Sequence, residues 1–145
     1  DVDVTKLARN VAADLQVAFP SVRFEIAEGL RTRADEGLLR VALHNLFENA
    51  AKFSVEADDP AVFLESAVRD RRKFLVVRDR GVGFDQAKAQ SIFQPFERLY
   101  AGVGIQGTGI GLATVDRLVK RHGGRIFAES EPGKGASFFF TLEPV

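Results

Sequence analysis

The segment from about residue 36 to residue 53 constrains this chain more than any other, because its apolar residues recur at helical spacing on two separate stripes. At roughly 100° per residue, Leu39, Leu43, Leu46, Phe47 and Ala50 fall together and predict a helix face buried in a core. Asn45, Asn49, Lys52 and Phe53 stand at i, i+4, i+7 and i+8 on a second stripe. A helix committed to a core on one side and carrying two amides, a cation and a ring on the other must lie against a sheet or bundle with that second stripe left open.

The flanking segments supply the sheet. Val4, Leu7, Val11 and Leu15 predict an amphipathic helix closed by Pro20, and VRFEIA at 22–27 alternates as a half-buried strand does. A short strand is predicted near 31–34, and the polar loop SVEADDP follows the long helix. AVFLESAVRD and KFLVVRD flank a charged turn near Arg71 and Arg72 and read as an antiparallel hairpin. A short helix is predicted at about 85–93 and another at about 110–122, entered through the glycine-studded AGVGIQGTGIG. GGRIFAES, EPGKGAS and FFFTLEP form a closing hairpin whose unbroken phenylalanines suit a buried strand. Strands and helices mix without strict alternation, which predicts a single α/β domain over 1–145: a two-layer sandwich with helices on one face of a mixed sheet.

Composition narrows the function classes. Twenty basic and twenty acidic residues cancel, so no overall basic field exists to hold nucleic acid or anionic lipid. The absence of cysteine excludes disulfides and thiolate metal sites and fits a reducing cytoplasm. No run approaches the roughly 18 apolar residues of a membrane span, and the start lacks a signal sequence, so no direct membrane contact is expected. A chain without any methionine reads as a piece of a longer protein.

Three constellations carry chemistry. On the long helix, an amide oxygen of Asn45 or Asn49 can ligate Mg²⁺, the Lys52 ammonium can meet phosphate and the Phe53 ring can lie against a base; the same four residues also suit an ordinary solvated helix face. Asp79-Arg80-Gly81-Val82-Gly83 follows a strand, where a carboxylate can accept from an exocyclic amine and glycines let backbone approach a planar ring; a plain turn uses the same residues. Gly107-Thr108-Gly109-Ile110-Gly111-Leu112-Ala113 runs into a helix, whose free N–H groups form an anion site suited to a triphosphate. No GxxxxGK[ST] occurs, and the glycine run follows a loop instead of the strand that a dinucleotide fingerprint requires. Gly133-Lys134-Gly135 leads into a strand and reads as a hairpin turn with a secondary role.

Asn45-x3-Asn49 on a helix, DxGxG at 79–83, IFxPFxR at 92–98, GTGIGLA at 107–113 and a final GxGxxF at 133–138 resemble, in order and spacing, the catalytic domains of histidine kinases in the gyrase, chaperone, kinase and MutL ATP-binding superfamily. The resemblance spans about residues 3–143, and the closing stretch looks most like kinases of phytochrome-type and hybrid sensors. It implies a mixed five-stranded sheet backed by about three helices, with an ATP lid between the phenylalanine and glycine motifs. It also implies Mg·ATP as cofactor, transfer of the γ-phosphate to a histidine on a separate dimerisation and phosphoacceptor domain, and a downstream response-regulator receiver domain as partner. By similarity Asn49 would ligate Mg²⁺ with Asn45 assisting, Lys52 would reach phosphate, Phe53 would lie by the adenine and Asp79 would bond its amine in a pocket shaped by Gly81 and Gly83. Phe93, Phe96 and Arg98 would form the lid hinge, and Gly107, Thr108, Gly109, Ile110, Gly111 and Leu112 would wrap the phosphates.

Two departures stand out. The lid is short and carries Val103 and Ile105, and the HE-x-R-x-P acceptor motif is missing. His44 falls on neither helix stripe and reads as an outward surface residue, while His122 before Gly123-Gly124 reads as a helix-end residue, so neither is expected to accept phosphate. In ATP-hydrolysing relatives a glutamate stands four residues before the metal-binding asparagine; here that position is Asn45, and Glu48 lies about 100° away on the helix.

Overall fold

The structure, a computed structural model, describes residues 1–93 and 111–143. Strand β1 (Val2–Asp3) leads directly into helix α1 (Val4–Ala18), whose first turn is capped by the Asp3 carboxylate accepting from the Lys6 N–H at 3.1 Å. Val4, Leu7, Val11 and Leu15 are all buried, as their spacing predicts. Strands β2 (Arg23–Ile26) and β3 (Arg31–Thr32) follow, then α2 (Glu36–Ser54), capped by Asp35. β4 (Ala61–Arg69) and β5 (Arg72–Asp79) form the expected hairpin. Asp70 and Arg71 occupy its two-residue turn, both at positive φ, so the turn sits one residue earlier than the sequence suggests and Arg72 already pairs with Arg69.

Two 3₁₀ turns, Gln86–Lys88 and Ser91–Phe93, replace the continuous short helix expected at 85–93. The Asp85 carboxylate caps the first turn by accepting from the Ala87 N–H, and Ser91 Oγ donates to the Lys88 carbonyl before the second begins. Helix α3 (Gly111–Arg121) ends in a paired-carbonyl cap: Gly124 N–H donates to Val119 O and Gly123 N–H to Lys120 O, with Gly123 at φ +75°. β6 (Arg125–Ser130) and β7 (Ala136–Thr141) close the chain.

The main sheet has strand order β2-β4-β5-β7-β6, parallel only between β2 and β4, and is therefore mixed as well as five-stranded. The strand near 31–34 does not join it. β3 instead pairs with β1, a partner too short to show as an alternating run. The α2 core stripe sits against the inner face of the sheet with Leu39, Leu43, Leu46, Phe47 and Ala50 all buried.

The unbroken phenylalanines of β7 are explained by the two faces of the sheet. Phe138 and Phe140 point into the helix layer, while Phe139 joins Phe74 and Val76 on the outer face, where no helix among the described residues covers them. Long side chains seal that face instead: the Arg69 guanidinium lies 4.6 Å from the Phe139 ring while donating to both Glu129 oxygens, and Arg125 lies 5.1 Å from Phe127. The polar stripe of α2 is thus left facing away from the main core, at the rim where β5 ends and α3 begins.

Candidate functional site

Asp79 is the last residue of β5 and alternates in phase with Leu75 and Val77, so its carboxylate turns toward the helix layer and only 3% of the residue is exposed. Burial raises its pKa to about 6, although its acceptance of backbone N–H groups from Gly81 and Ala136 works in the opposite direction. The Gly81 bond measures 2.8 Å. A carboxylate placed this way is costly to the protein by itself and is poised for a further donor.

The glycines beside it are required by close approach of backbone to backbone. A Cβ on Gly81 would lie 2.1 Å from the Phe53 carbonyl oxygen, at the C-terminal end of α2. Gly83 has φ +67°, and a Cβ there would lie 2.0 Å from the Glu131 carbonyl oxygen. The β6–β7 turn closes on this loop from the other side, with Gly133 N–H donating to Val82 O at 2.6 Å and a Gly135 Cβ falling 2.2 Å from Asp79 O. Gly133-Lys134-Gly135 is therefore the hairpin turn expected, and its backbone forms one wall of the Asp79 loop.

The polar stripe of α2 runs from this wall to the start of α3. Asn45, Asn49, Lys52 and Phe53 are all half-buried, whereas His44 is exposed. Asn45 Nδ2 donates back to Val41 O at 3.0 Å, and its Oδ1 lies 3.3 Å from where a Gly111 Cβ would stand. Asn49 has a buried amide nitrogen without a hydrogen-bond partner among the described residues. Because an asparagine amide can turn over, the same position can present its oxygen. Lys52 Nζ lies 3.6 Å from Glu48 Oε1, an i, i+4 pair in which both side chains are about one-third exposed.

Phe93 packs edge-on to Phe138 at 6.1 Å, and Leu112 is half-buried against the same core. Phe96, Arg98, Gly107, Thr108, Gly109 and Ile110 lie outside the described residues, as do Val103, Ile105 and the lid expected between the two motifs. Of the glycine motif, Gly111, Leu112 and Ala113 are described, and they open α3 directly against Asn45. His122 accepts the role expected of a helix-end residue, with Nδ1 2.9 Å from Leu118 O.

Sequence reasoning missed several participants. Ser130, Gln86 and the Ala136 N–H all bind the Asp79 loop to the β6–β7 hairpin. Their partners are up to 46 residues away, so no local pattern marks them. The Glu48–Lys52 pair was missed as well, although its i, i+4 spacing marks it.

Along α2 the rise from Asn45 to Phe53 is about 12 Å, with the start of α3 at one end and a buried carboxylate beside closely packed glycines at the other. Fold and site together define a nucleotide-binding α/β sandwich. Residues 34–145 match the family of Histidine kinase-, DNA gyrase B-, and HSP90-like ATPases, and the chain belongs to that family.

The chain is 34% identical over 122 residues to the methanogenesis regulatory histidine kinase FilI of Methanothrix harundinacea, covering 83% of this chain and 14% of the relative. It is 30% identical over 142 residues to the phytochrome-like protein Cph1 of Synechocystis sp., covering 97% of this chain and 19% of the relative. The chain thus spans less than one-fifth of the length of either. Among solved structures, full-length ShkA in complex with AMPPNP superposes with a TM-score of 0.76 at 32% identity, over 96% of this chain and 29% of that one. The mycobacterial sensor histidine kinase MprB shares the fold with a TM-score of 0.81 at 24% identity, over 99% of this chain and 97% of that one. The five-stranded mixed sheet with three helices among the described residues is the architecture of histidine kinase catalytic domains.

Proposed function

We propose that this domain binds Mg·ATP along the polar stripe of α2 and delivers the γ-phosphate to a histidine on a separate dimerisation and phosphoacceptor domain. The observation that carries the reading is the span of that stripe, which joins the buried Asp79 loop at Phe53 to the N-terminus of α3 at Asn45. The base belongs at the first end, where Asp79 accepts the adenine amine and Gly81 and Gly83 leave room for a flat ring. The phosphates belong at the second, where the positive end of α3 and the Asn45 amide meet them.

The residues present fit a divalent cation of the Mg²⁺ type. Asn49 offers an unsatisfied amide, and among the described residues no cluster of three acidic or imidazole side chains forms a cage. Mg²⁺ keeps several waters and is usually held by few protein oxygens together with substrate phosphates, so a single amide oxygen from Asn49 would be a sufficient protein ligand. Bound there, Mg²⁺ neutralises charge on the phosphates. The protein's part is positioning: Asn45 and Asn49 fix the phosphate end, Lys52 supplies a cation once it leaves Glu48, and Asp79 sets the register of the base.

Transfer is favoured over hydrolysis because Asn45 cannot act as a base; its amide takes no proton, and its nitrogen is already committed to Val41 O. His44 and His122 lie outside the site, so the acceptor comes from another domain, as the much greater length of the relatives allows. From that histidine the phosphate passes to a response-regulator receiver domain. The need for ATP and the absence of cysteine fit a cytoplasmic domain; no described helix is long and apolar enough to cross a membrane.

Mixing the chain with its cognate acceptor domain and labelled ATP tests the reading. Acid-labile, alkali-stable label should appear on the acceptor and none on this chain. Nucleotide binding without transfer would instead favour a regulatory nucleotide-binding module.

A further inference from the structure

The Asp79 loop is held by a polar clasp that none of the five motifs contains. Ser130, at the end of β6, accepts from the Phe84 N–H at 2.8 Å and donates to Gly135 O at 2.6 Å. One hydroxyl therefore ties the end of the Asp79–Gly83 loop to the turn that forms its wall. Gln86 extends the clasp along the free edge of the sheet: its Oε1 accepts from Ser130 N–H at 2.8 Å and its Nε2 donates to Ala128 O at 3.1 Å. The side-chain amide thus pairs with edge strand β6 as another strand would, and it fixes the backbone of Ser130 itself.

The clasp bears on the site because loop and turn approach closely through their backbones at Gly83 and Gly135. Gly83 packs on the Glu131 and Gly135 carbonyls, Gly135 packs on the Asp79 carbonyl, and Asp79 accepts the Ala136 N–H. The Phe84 ring anchors the end of the loop on Phe138, 6.2 Å away, and between that anchor and Asp79 backbone contacts and hydrogen bonds set the spacing. A shift of the turn by a few tenths of an ångström moves both the acceptor and the floor of the base pocket.

We infer that Ser130 is a positioning residue for the nucleotide base, acting through the Phe84 and Gly135 backbone to hold the Asp79 loop in its binding geometry, with Gln86 in support. The inference rests on placing adenine at Asp79.

The test compares Ser130→Ala, Ser130→Thr and Gln86→Ala with wild type, measuring ATP, AMP and inorganic tripolyphosphate binding by calorimetry alongside thermal melting. Ser130→Ala should weaken ATP and AMP by the same factor, roughly fivefold, the scale of one net hydrogen bond. Tripolyphosphate, which lacks a base, should bind unchanged. Ser130→Thr, which keeps the hydroxyl, should restore the affinity, and Gln86→Ala, at an exposed position, should lose roughly twofold in the same pattern. A serine with a merely structural role would lower the melting temperature without separating AMP from tripolyphosphate, and that result overturns the inference. Should Ser130→Ala fail to fold, Gln86→Ala decides alone: wild-type AMP affinity overturns the proposal and selective loss supports it. Asp79→Asn serves as the control. If wild type binds no ATP, or Asp79→Asn binds as tightly as wild type, the adenine placement itself fails; if only the clasp variants are silent, the clasp alone fails.

Discussion

The two ends of the α2 stripe are built on opposite plans. At the Phe53 end, backbone packs on backbone, glycines sit where any Cβ would meet a carbonyl oxygen, and a carboxylate is buried with two N–H donors. Along the rest of the stripe toward Asn45, side chains do the work: a lysine held by a partly exposed ion pair and two half-buried amides. The first end is rigid and carries an energetic cost before any ligand arrives; the second adapts. Such a division suits a ligand whose base has one shape and whose phosphates change during the reaction.

The largest effect should come from crowding the rigid end. Gly83→Ala places a methyl 2.0 Å from Glu131 O at a backbone φ of +67°, and the turn must shift or the loop must refold. We expect a stability loss of about 3 kcal/mol or more, together with loss of ATP binding. Chemical denaturation measures the first and calorimetry the second. A variant with wild-type stability would show that this end yields as readily as the other.

Asp79→Asn should separate function from stability. An amide in place of a charged acceptor should weaken ATP binding roughly 10- to 150-fold, since bonds to charged groups contribute about 1.5–3 kcal/mol. The apo protein should respond in the other direction. Because the folded pKa of about 6 lies above the reference value of 3.8, the native state holds its proton more tightly than the unfolded one. Stability from this group is full below pH 3.8 and is lost as pH rises through about 6. Apo Asp79→Asn should therefore be more stable than wild type at pH 8, by at most about 3 kcal/mol, with the advantage vanishing near pH 4. Melting curves at the two pH values check this, and equal stability at pH 8 would remove the buried charge as a stored cost.

At the adaptable end, Asn49→Ala should leave the fold intact, because the amide nitrogen it removes has no partner among the described residues. Mg²⁺-dependent ATP binding should fall by about tenfold while binding in the presence of a chelator changes little. Equal losses with and without Mg²⁺ would assign Asn49 to the nucleotide instead of the metal.

The contrast between the ends also explains what the sequence makes legible. The α2 stripes and the β4–β5 hairpin follow from periodicity, and the burial of β7 from its unbroken phenylalanines, all of which are local. Asp79 is legible too, as a carboxylate at a strand end beside glycines. The Ser130 clasp and the reason for Gly83 are not, because they depend on contacts between a loop near residue 83 and a turn near residue 133. The 3₁₀ turns at Gln86–Lys88 and Ser91–Phe93 escaped for the opposite reason: local capping by Asp85 and the Ser91 hydroxyl competes with the helix that the pattern alone suggests.

The smallest effect tests the adaptable end most finely. Lys52 can reach a phosphate only by leaving Glu48, from which it is separated by 3.6 Å in a partly exposed pair. Such pairs are worth about 0.3–0.5 kcal/mol, so Glu48→Gln should free the ammonium and tighten ATP binding by roughly twofold. The gain should shrink as salt is raised, because screening weakens the pair that the substitution removes. Slow phosphate release by the domain should stay at its wild-type rate, since Glu48 stands on the Lys52 side of the helix and holds a cation instead of a water. Titration calorimetry at two salt concentrations and a phosphate-release assay measure both quantities. A large fall in phosphate release would make Glu48 a general base, and it would move this chain from the kinases toward the ATP-hydrolysing members of its family.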